Sequence, residues 1–243
     1  MVDRPGRMDW PVFAAAAVLA VAFIAWGLFG TDSLVTFADS ALTVLVRDGG
    51  WIFILASTGF VVFGVWLAFS RFGKIPLGAD DEGPEFRTSS WIAMMFAAGM
   101  GIGLMFFGVS EPLTHFSSPP PDGPGSASGD VGSAMATSLF HWTLHPWSIY
   151  AVVGLAIAYS SYRRGRPQLL SSAFASFFGE RNANGPAGKV IDTLAIFATV
   201  FGTACSLGLG ATQISSGLQQ VGWVDEATQP LLVGIITVLI GAF

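Results

Sequence analysis

Apolar residues are distributed along this chain in long unbroken runs, not in the alternation expected of half-buried strands. Five runs reach the roughly 20 residues that a helix needs to cross a bilayer core about 30 Å thick. They are Trp10–Phe29, Trp51–Phe69, about Ser90–Val109, about Ala136–Tyr159 and about Val190–Ile214. A sixth begins near Pro230 and reaches Phe243, fourteen residues in all. A carboxylate inside hydrocarbon is unfavourable, so the chain is expected to be the N-terminal part of a longer protein or the product of a truncated gene. The predicted fold class is an all-α multi-pass membrane protein with about five full spans and the start of a sixth.

The polar positions between the runs orient them. Arg4 and Arg7 precede the first run, and Arg71, Lys74 and Arg87 lie between the second and third. Arg163, Arg164, Arg166, Arg181 and Lys189 lie between the fourth and fifth, whereas the opposite side holds only Arg47. The excess of basic residues on one side predicts a cytoplasmic N-terminus in the cell (inner) membrane. The first run is followed by no small-residue cleavage site, so it is expected to be a retained span and not a signal peptide. "SSPPPDGPGSASGD" has no basic residue and reads as an external connection. "PQLLSSAFASFFG", after the arginine cluster, is either a short helix in the membrane interface or a plain amphipathic connector.

Composition agrees with immersion in lipid. Charged residues make up 11% of the chain and apolar ones 52%, against about 25% charged in soluble domains; mean hydropathy is +0.62. A net charge of -5 argues against a nucleic-acid partner, which requires a basic face. The single cysteine, Cys205, excludes a disulfide framework and reads as a small apolar residue. His141 and His145 stand four apart, but Trp142 occupies the place where a zinc helix needs glutamate. No nucleophile–base pair falls within a span, and His115, His141 and His145 are expected near span ends, so no enzyme and no cofactor is predicted.

The third run contains "AAGMGIGLMFFGVSEPL", with Gly99, Gly101 and Gly103 at alternate positions. A G-x-G-x-x-G nucleotide loop would need glycine at 102, 104 or 106, where Ile102, Leu104 and Phe106 stand. Helix packing through Gly99 and Gly103 explains two of the glycines. It leaves unexplained Gly101, Gly108 and the Glu111–Pro112 pair. Each glycine costs a helix up to about 1 kcal/mol relative to alanine. A discontinuous helix is therefore expected. Its freed carbonyls would face a cation and its freed N–H groups, around Gly99, Gly101 and Gly103, an anionic substrate end.

Two further helices carry candidate chemistry. On one continuous helix, Trp142, Trp147 and Tyr150 fall at about 0°, 140° and 80°, one face, with Pro146 bending the helix. Such a face is either an interfacial aromatic belt or a site for a quaternary ammonium, attracted to ring faces. Thr199, Thr203 and Ser206, with Gly210, form a stripe on the fifth run. Their hydroxyls either bond back to their own helix or offer hard oxygen ligands to a small cation such as sodium.

"GMGIGLMFFGVSEP", "HWTLHPWSIYA" and "ATVFGTACSLGLGA" closely resemble the betaine/choline/carnitine transporter family over about Trp91–Ile214. The resemblance implies a twelve-span, leucine-transporter-like inverted-repeat fold that assembles as a homotrimer. Residues 1–88 would then be the cytoplasmic N-terminus and two peripheral helices, and 89–243 the first part of the first repeat. It implies import of a quaternary-ammonium compatible solute, glycine betaine or a similar zwitterion. Trp142, Trp147 and Tyr150 match the family's aromatic box and Met100 a substrate contact. Ala97 and Met100 match backbone ligands of one sodium site, and Thr199 and Thr203 ligands of the other. The family completes these sites with later spans, so these residues alone are expected not to transport. Choline-transporting members tend to carry aspartate where this chain has Gly103.

Other readings stay open: a choline or carnitine carrier driven by protons or exchange, another leucine-transporter-like amino-acid carrier, or a non-transporting osmosensor or assembly subunit.

Overall fold

The computed structural model describes residues 9–78, 80–81, 83–99, 101–119 and 130–241. Met100 and most of the Pro/Gly/Ser-rich connection lie outside the described residues. Every regular element among those described is helical. In chain order these are α1 (Trp10–Phe29), α2 (Thr31–Phe69), α3 (Thr88–Gly99), α4 (Ile102–Ser117), α5 (Val131–Trp142) and α6 (Leu144–Ala158). A π-helical turn (Tyr159–Arg163) follows, then three single turns, α7 (Leu170–Ala173), α8 (Ala175–Phe178) and α9 (Glu180–Ala183). The long α10 (Pro186–Gln220) and α11 (Gln229–Gly241) complete the order.

By length and composition α1, α2 and α10 are each able to cross a membrane. The pair α3–α4, bent by 47° at its break, makes a fourth if it is one span. The fourth apolar run is divided at Thr143 (φ -101°, ψ -111°) into α5 and α6 of 12 and 15 residues, each shorter than a bilayer core. Fewer than five single helices meet the length for a span because two of the runs are broken helices.

The first run and α1 coincide. Asp9 caps α1 by accepting from Val12 N at 3.4 Å, and Pro11 sits in the first turn, where its missing N–H costs nothing. The second run lies inside a much longer element. α2 begins at Thr31 and runs through Gly49 and Gly50 for 39 residues, about 58 Å at 1.5 Å per residue. Only Gly30 separates it from α1, and Trp26 Nε1 donates to Ser33 Oγ across the break at 2.7 Å. Arg47 therefore lies on a helix, paired with Asp48 at 2.8 Å, and not in the expected inter-span loop.

The chain forms two compact units, residues 1–82 with 143–199, and residues 83–142 with 200–243. In the first, α2 packs on α6 through small polar residues, Ser148 Oγ donating to the Ser57 carbonyl at 3.3 Å. Arg163, at the end of the π-helical turn after α6, donates to the Gly78 carbonyl and to Asp80 beyond the end of α2. Lys189, at the start of α10, pairs with Asp9 at the start of α1, 2.9 Å apart. Ser171 bonds Asp192, and Ser160 bonds the Ser172 carbonyl. These contacts gather the start of α1, the ends of α2 and α6 and the start of α10 at one end of the unit.

In the second unit α5 returns along α4, with Ala134 and Ser138 buried. Asp130 caps α5 by accepting from Gly132 N and Ser133 N at 3.2 and 3.0 Å. α10 ends at Gln220 and is closed by Gly222 (φ 73°), after which Trp223 N bonds back to the Leu218 carbonyl at 3.0 Å.

Candidate functional site

The glycine segment is discontinuous. α3 ends at Gly99 and α4 begins at Ile102, with Gly101 as its extended N-cap residue (φ -78°, ψ 177°) making no side-chain cap bond. The first turn of α4 therefore presents backbone N–H groups and the positive end of the helix dipole without a capping side chain.

Beside that turn stands Trp142. A Cβ built on Gly103 would lie 3.7 Å from Trp142 Cη2. The indole stacks on Phe107 with ring centroids 5.9 Å apart, and its Nε1 donates to Glu111 Oε2 at 2.8 Å. The other carboxylate oxygen, Oε1, lies 2.9 Å from His141 Nδ1. Glu111 is largely buried, its side chain 14% exposed, whereas His141 is exposed. Gly103, Phe107 and Glu111 are spaced four apart, so one face of α4 fixes both the position and the rotation of the Trp142 ring.

Trp147 and Tyr150 lie on α6, in the first unit, with ring centroids 5.7 Å apart and both exposed. The 100° phase relates these two to each other. It does not carry back to Trp142, because Thr143 interrupts the helix. Pro146, expected to bend the helix, sits in the first turn of α6 just after that interruption. His145, also in that turn, lies 3.3 Å from Thr58 Oγ1 on α2.

On α10 the Thr199 hydroxyl donates to the Ala195 carbonyl at 2.8 Å, the back-bonding arrangement. Thr203 and Ser206 are exposed, as is the single free thiol, Cys205. Ala97 lies in the last turn of α3. Among the described residues no three His, Cys, Asp or Glu side chains are grouped to hold a metal ion.

Residues 11–243 match the family described as BCCT, betaine/carnitine/choline family transporter. The chain belongs to this family. A betaine/ectoine transporter of Corynebacterium glutamicum is 46% identical over 233 residues, which cover 96% of this chain and 37% of that protein. A glycine betaine transporter of Bacillus subtilis is 44% identical over 243 residues, 98% of this chain and 46% of its own length. A glycine betaine/proline/choline transporter of Vibrio parahaemolyticus is 39% identical over 246 residues, covering 94% and 44%. The BCCT chain therefore spans less than half the length of each of these relatives. BCCT proteins are transporters and not enzymes, as expected from the motifs, and the match extends well beyond the Trp91–Ile214 stretch that carries them.

Glu111, His141 and Phe107 are the side chains around Trp142 that sequence reasoning did not assign. The four-residue spacing from Gly103 to Glu111 was the available signal, and an acid within an apolar helix the second.

Proposed function

We propose that this BCCT chain serves a secondary active transporter that imports a quaternary-ammonium compatible solute, glycine betaine or a similar zwitterion, with sodium as the coupling ion. The observation that carries this reading is the uncapped start of α4 at Gly101 with the Trp142 ring alongside at Gly103. Free N–H groups at a helix N-terminus attract a carboxylate. An indole face attracts a quaternary ammonium, by about 2 kcal/mol or more when desolvated. A betaine carries both groups a few bonds apart. The betaine named in relatives at 44–46% identity supports the same solute class.

In this reading Gly99, Met100, Gly101, Gly103 and Trp142 bind the solute, with Trp147 and Tyr150 contributing aromatic faces. Backbone oxygens at Ala97 and Met100 serve one sodium ion, and Thr199, Thr203 and Ser206 offer hydroxyls to a second. Residues 1–88 form the cytoplasmic N-terminus and peripheral helices, and 89–243 part of a leucine-transporter-like inverted repeat. The protein works as a homotrimer in the cell membrane. The test is uptake of labelled glycine betaine by cells expressing a transport-competent protein that carries this sequence, with and without sodium. Saturable, sodium-dependent uptake is expected. Absence of uptake of any quaternary ammonium would overturn the reading, and equal uptake without sodium would overturn the coupling ion.

A further inference from the structure

In the turns α7 to α9 the side chains buried against the first unit are small ones, Ser171, Ser172, Ala175 and Ala183, while Ser176, Arg181 and Asn182 are exposed. The phenylalanines of these turns face away from it, Phe177 82% exposed and Phe178 57%, with Phe174 stacked on Phe178 at 5.9 Å. This orientation is held and not incidental. The buried Asp192 of α10 accepts from both Ser171 N at 3.0 Å and Ser171 Oγ at 2.7 Å. Ser160 Oγ donates to the Ser172 carbonyl at 2.9 Å. The backbone itself closes tightly, since a Cβ on Gly188 would clash with the Ala183 carbonyl oxygen. Turning the serines outward would leave a buried carboxylate without its donors, so the phenylalanines stay outside.

In water such an arrangement is unfavourable, because it buries hydroxyls and hydrates rings. It is favourable at the boundary between headgroups and acyl chains. The segment joins the end of α6 to the start of α10, a membrane-length apolar helix. Its charges fit one kind of surface. Between 159 and 189 stand Arg163, Arg164, Arg166, Arg181 and Lys189 against a single acid, Glu180. Arg163, Arg166 and Lys189 are engaged with Asp80, Glu180 and Asp9, while Arg164 and Arg181, which precede and follow the phenylalanines in the chain, are exposed. An apolar patch flanked by exposed cations is complementary to an anionic bilayer leaflet.

We propose that residues 169–181 seat this chain on an anionic lipid leaflet. Phe174, Phe177 and Phe178 enter the acyl boundary, and Arg164 and Arg181 meet lipid phosphates. The proposal rests on the chain being a membrane protein and is independent of its solute. The test uses the full chain with Cys205→Ser, carrying an environment-sensitive dye at Phe177→Cys or, as a second site, at Phe178→Cys. It is reconstituted in vesicles of phosphatidylcholine with or without phosphatidylglycerol. A nitroxide on the lipid chain, near the headgroup, is expected roughly to halve the emission, while aqueous iodide leaves it unchanged. Quenching is expected to be stronger with phosphatidylglycerol and to lose that increment in the Arg164→Gln, Arg181→Gln double variant. Iodide quenching like that of free dye would place the rings in water and overturn the proposal. Protection from both quenchers would mean that protein covers them, and would overturn it equally, as would indifference to anionic lipid. Unchanged betaine uptake by a transport-competent protein carrying the same substitutions would leave the transport reading standing in any of these outcomes.

Discussion

The Trp142 indole and the Glu111 carboxylate are joined at 2.8 Å across 31 positions of sequence, and the same carboxylate holds His141 at 2.9 Å. Because Phe107 stacks on the indole, the ring is fixed by a contact on its face and by a hydrogen bond at its edge. A ring so constrained presents a fixed face instead of sampling rotamers, which reduces the ordering cost of binding a cation.

Glu111→Ala is expected to destabilise the α4–α5 pair by about 1–3 kcal/mol, the cost of orphaning the partly buried Trp142 N–H. It should also raise the KM for betaine several-fold by freeing Trp142. Glu111→Gln keeps an acceptor for the indole and should be milder in both respects. Thermal melting in detergent and uptake kinetics measure the two effects. A normal KM in the alanine variant would show that the hydrogen bond does not position the ring for substrate.

Trp147→Ala is expected to raise the KM for betaine at least several-fold through loss of a ring face, and Trp147→Phe less. Tyr150, its neighbour at 5.7 Å, should show the same order of effects. Unchanged affinity in the alanine variant would make Trp147 a membrane-belt anchor.

The helix boundaries were legible where local signals coincide. Asp9, Pro11 and an unbroken apolar run mark the start of α1, and the glycine triplet marks the break before α4. The break at Thr143 was less so, because no glycine stands there and Pro146 marks only its neighbourhood. α2 was underestimated because Arg47, Asp48, Gly49 and Gly50 resemble a loop, although its start is set by Gly30 and by the Trp26–Ser33 contact. The Glu111–Trp142 and Ser171–Asp192 pairs are tertiary, and periodicity carries no information about which faces meet across a connection.

Thr199→Val with Thr203→Val is expected to weaken sodium activation of uptake while leaving membrane insertion normal. Thr199 donates its proton to the Ala195 carbonyl, which leaves its oxygen lone pairs free to accept a cation. Ser206→Ala should add to the effect if that hydroxyl is a third ligand. The measurement is the sodium concentration giving half-maximal uptake, and an unchanged value would remove the stripe from the ion path.

The Asp9–Lys189 pair gives a pH signature. The hydrogen bond from Lys189 holds the Asp9 carboxyl below its ordinary value, outweighing the opposing desolvation, and the Val12 N–H acts in the same direction. A lowered carboxylate pKa contributes stability above the unfolded-state value, which is lost as pH falls through the folded-state value. Lys189→Gln should therefore lower Tm slightly at neutral pH, and the difference from the parent protein should vanish in acid. A difference that persists in acid would assign the effect to packing, since the pair is exposed and its charge contribution small.

The last prediction turns on Gly103. A net cation such as choline needs a counter-charge in a desolvated site, because an unpaired buried charge is costly; a betaine brings its own carboxylate, which an added acid would repel. No acid stands between Arg87 and Glu111, and the Glu111 carboxylate is already engaged by His141 and Trp142. A side chain at 103 is sterically tolerable, its Cβ making ordinary contact with Trp142 at 3.7 Å. Gly103→Asp is thus expected to shift preference from betaine toward choline by about 1–3 kcal/mol, roughly five- to 150-fold. Gly103→Asn, similar in size but neutral, should weaken betaine uptake without gaining choline. Competitive uptake of the two labelled solutes by the parent and both variants measures this. Strong choline transport by the parent protein would mean that the counter-charge comes from elsewhere and that Gly103 does not set the preference.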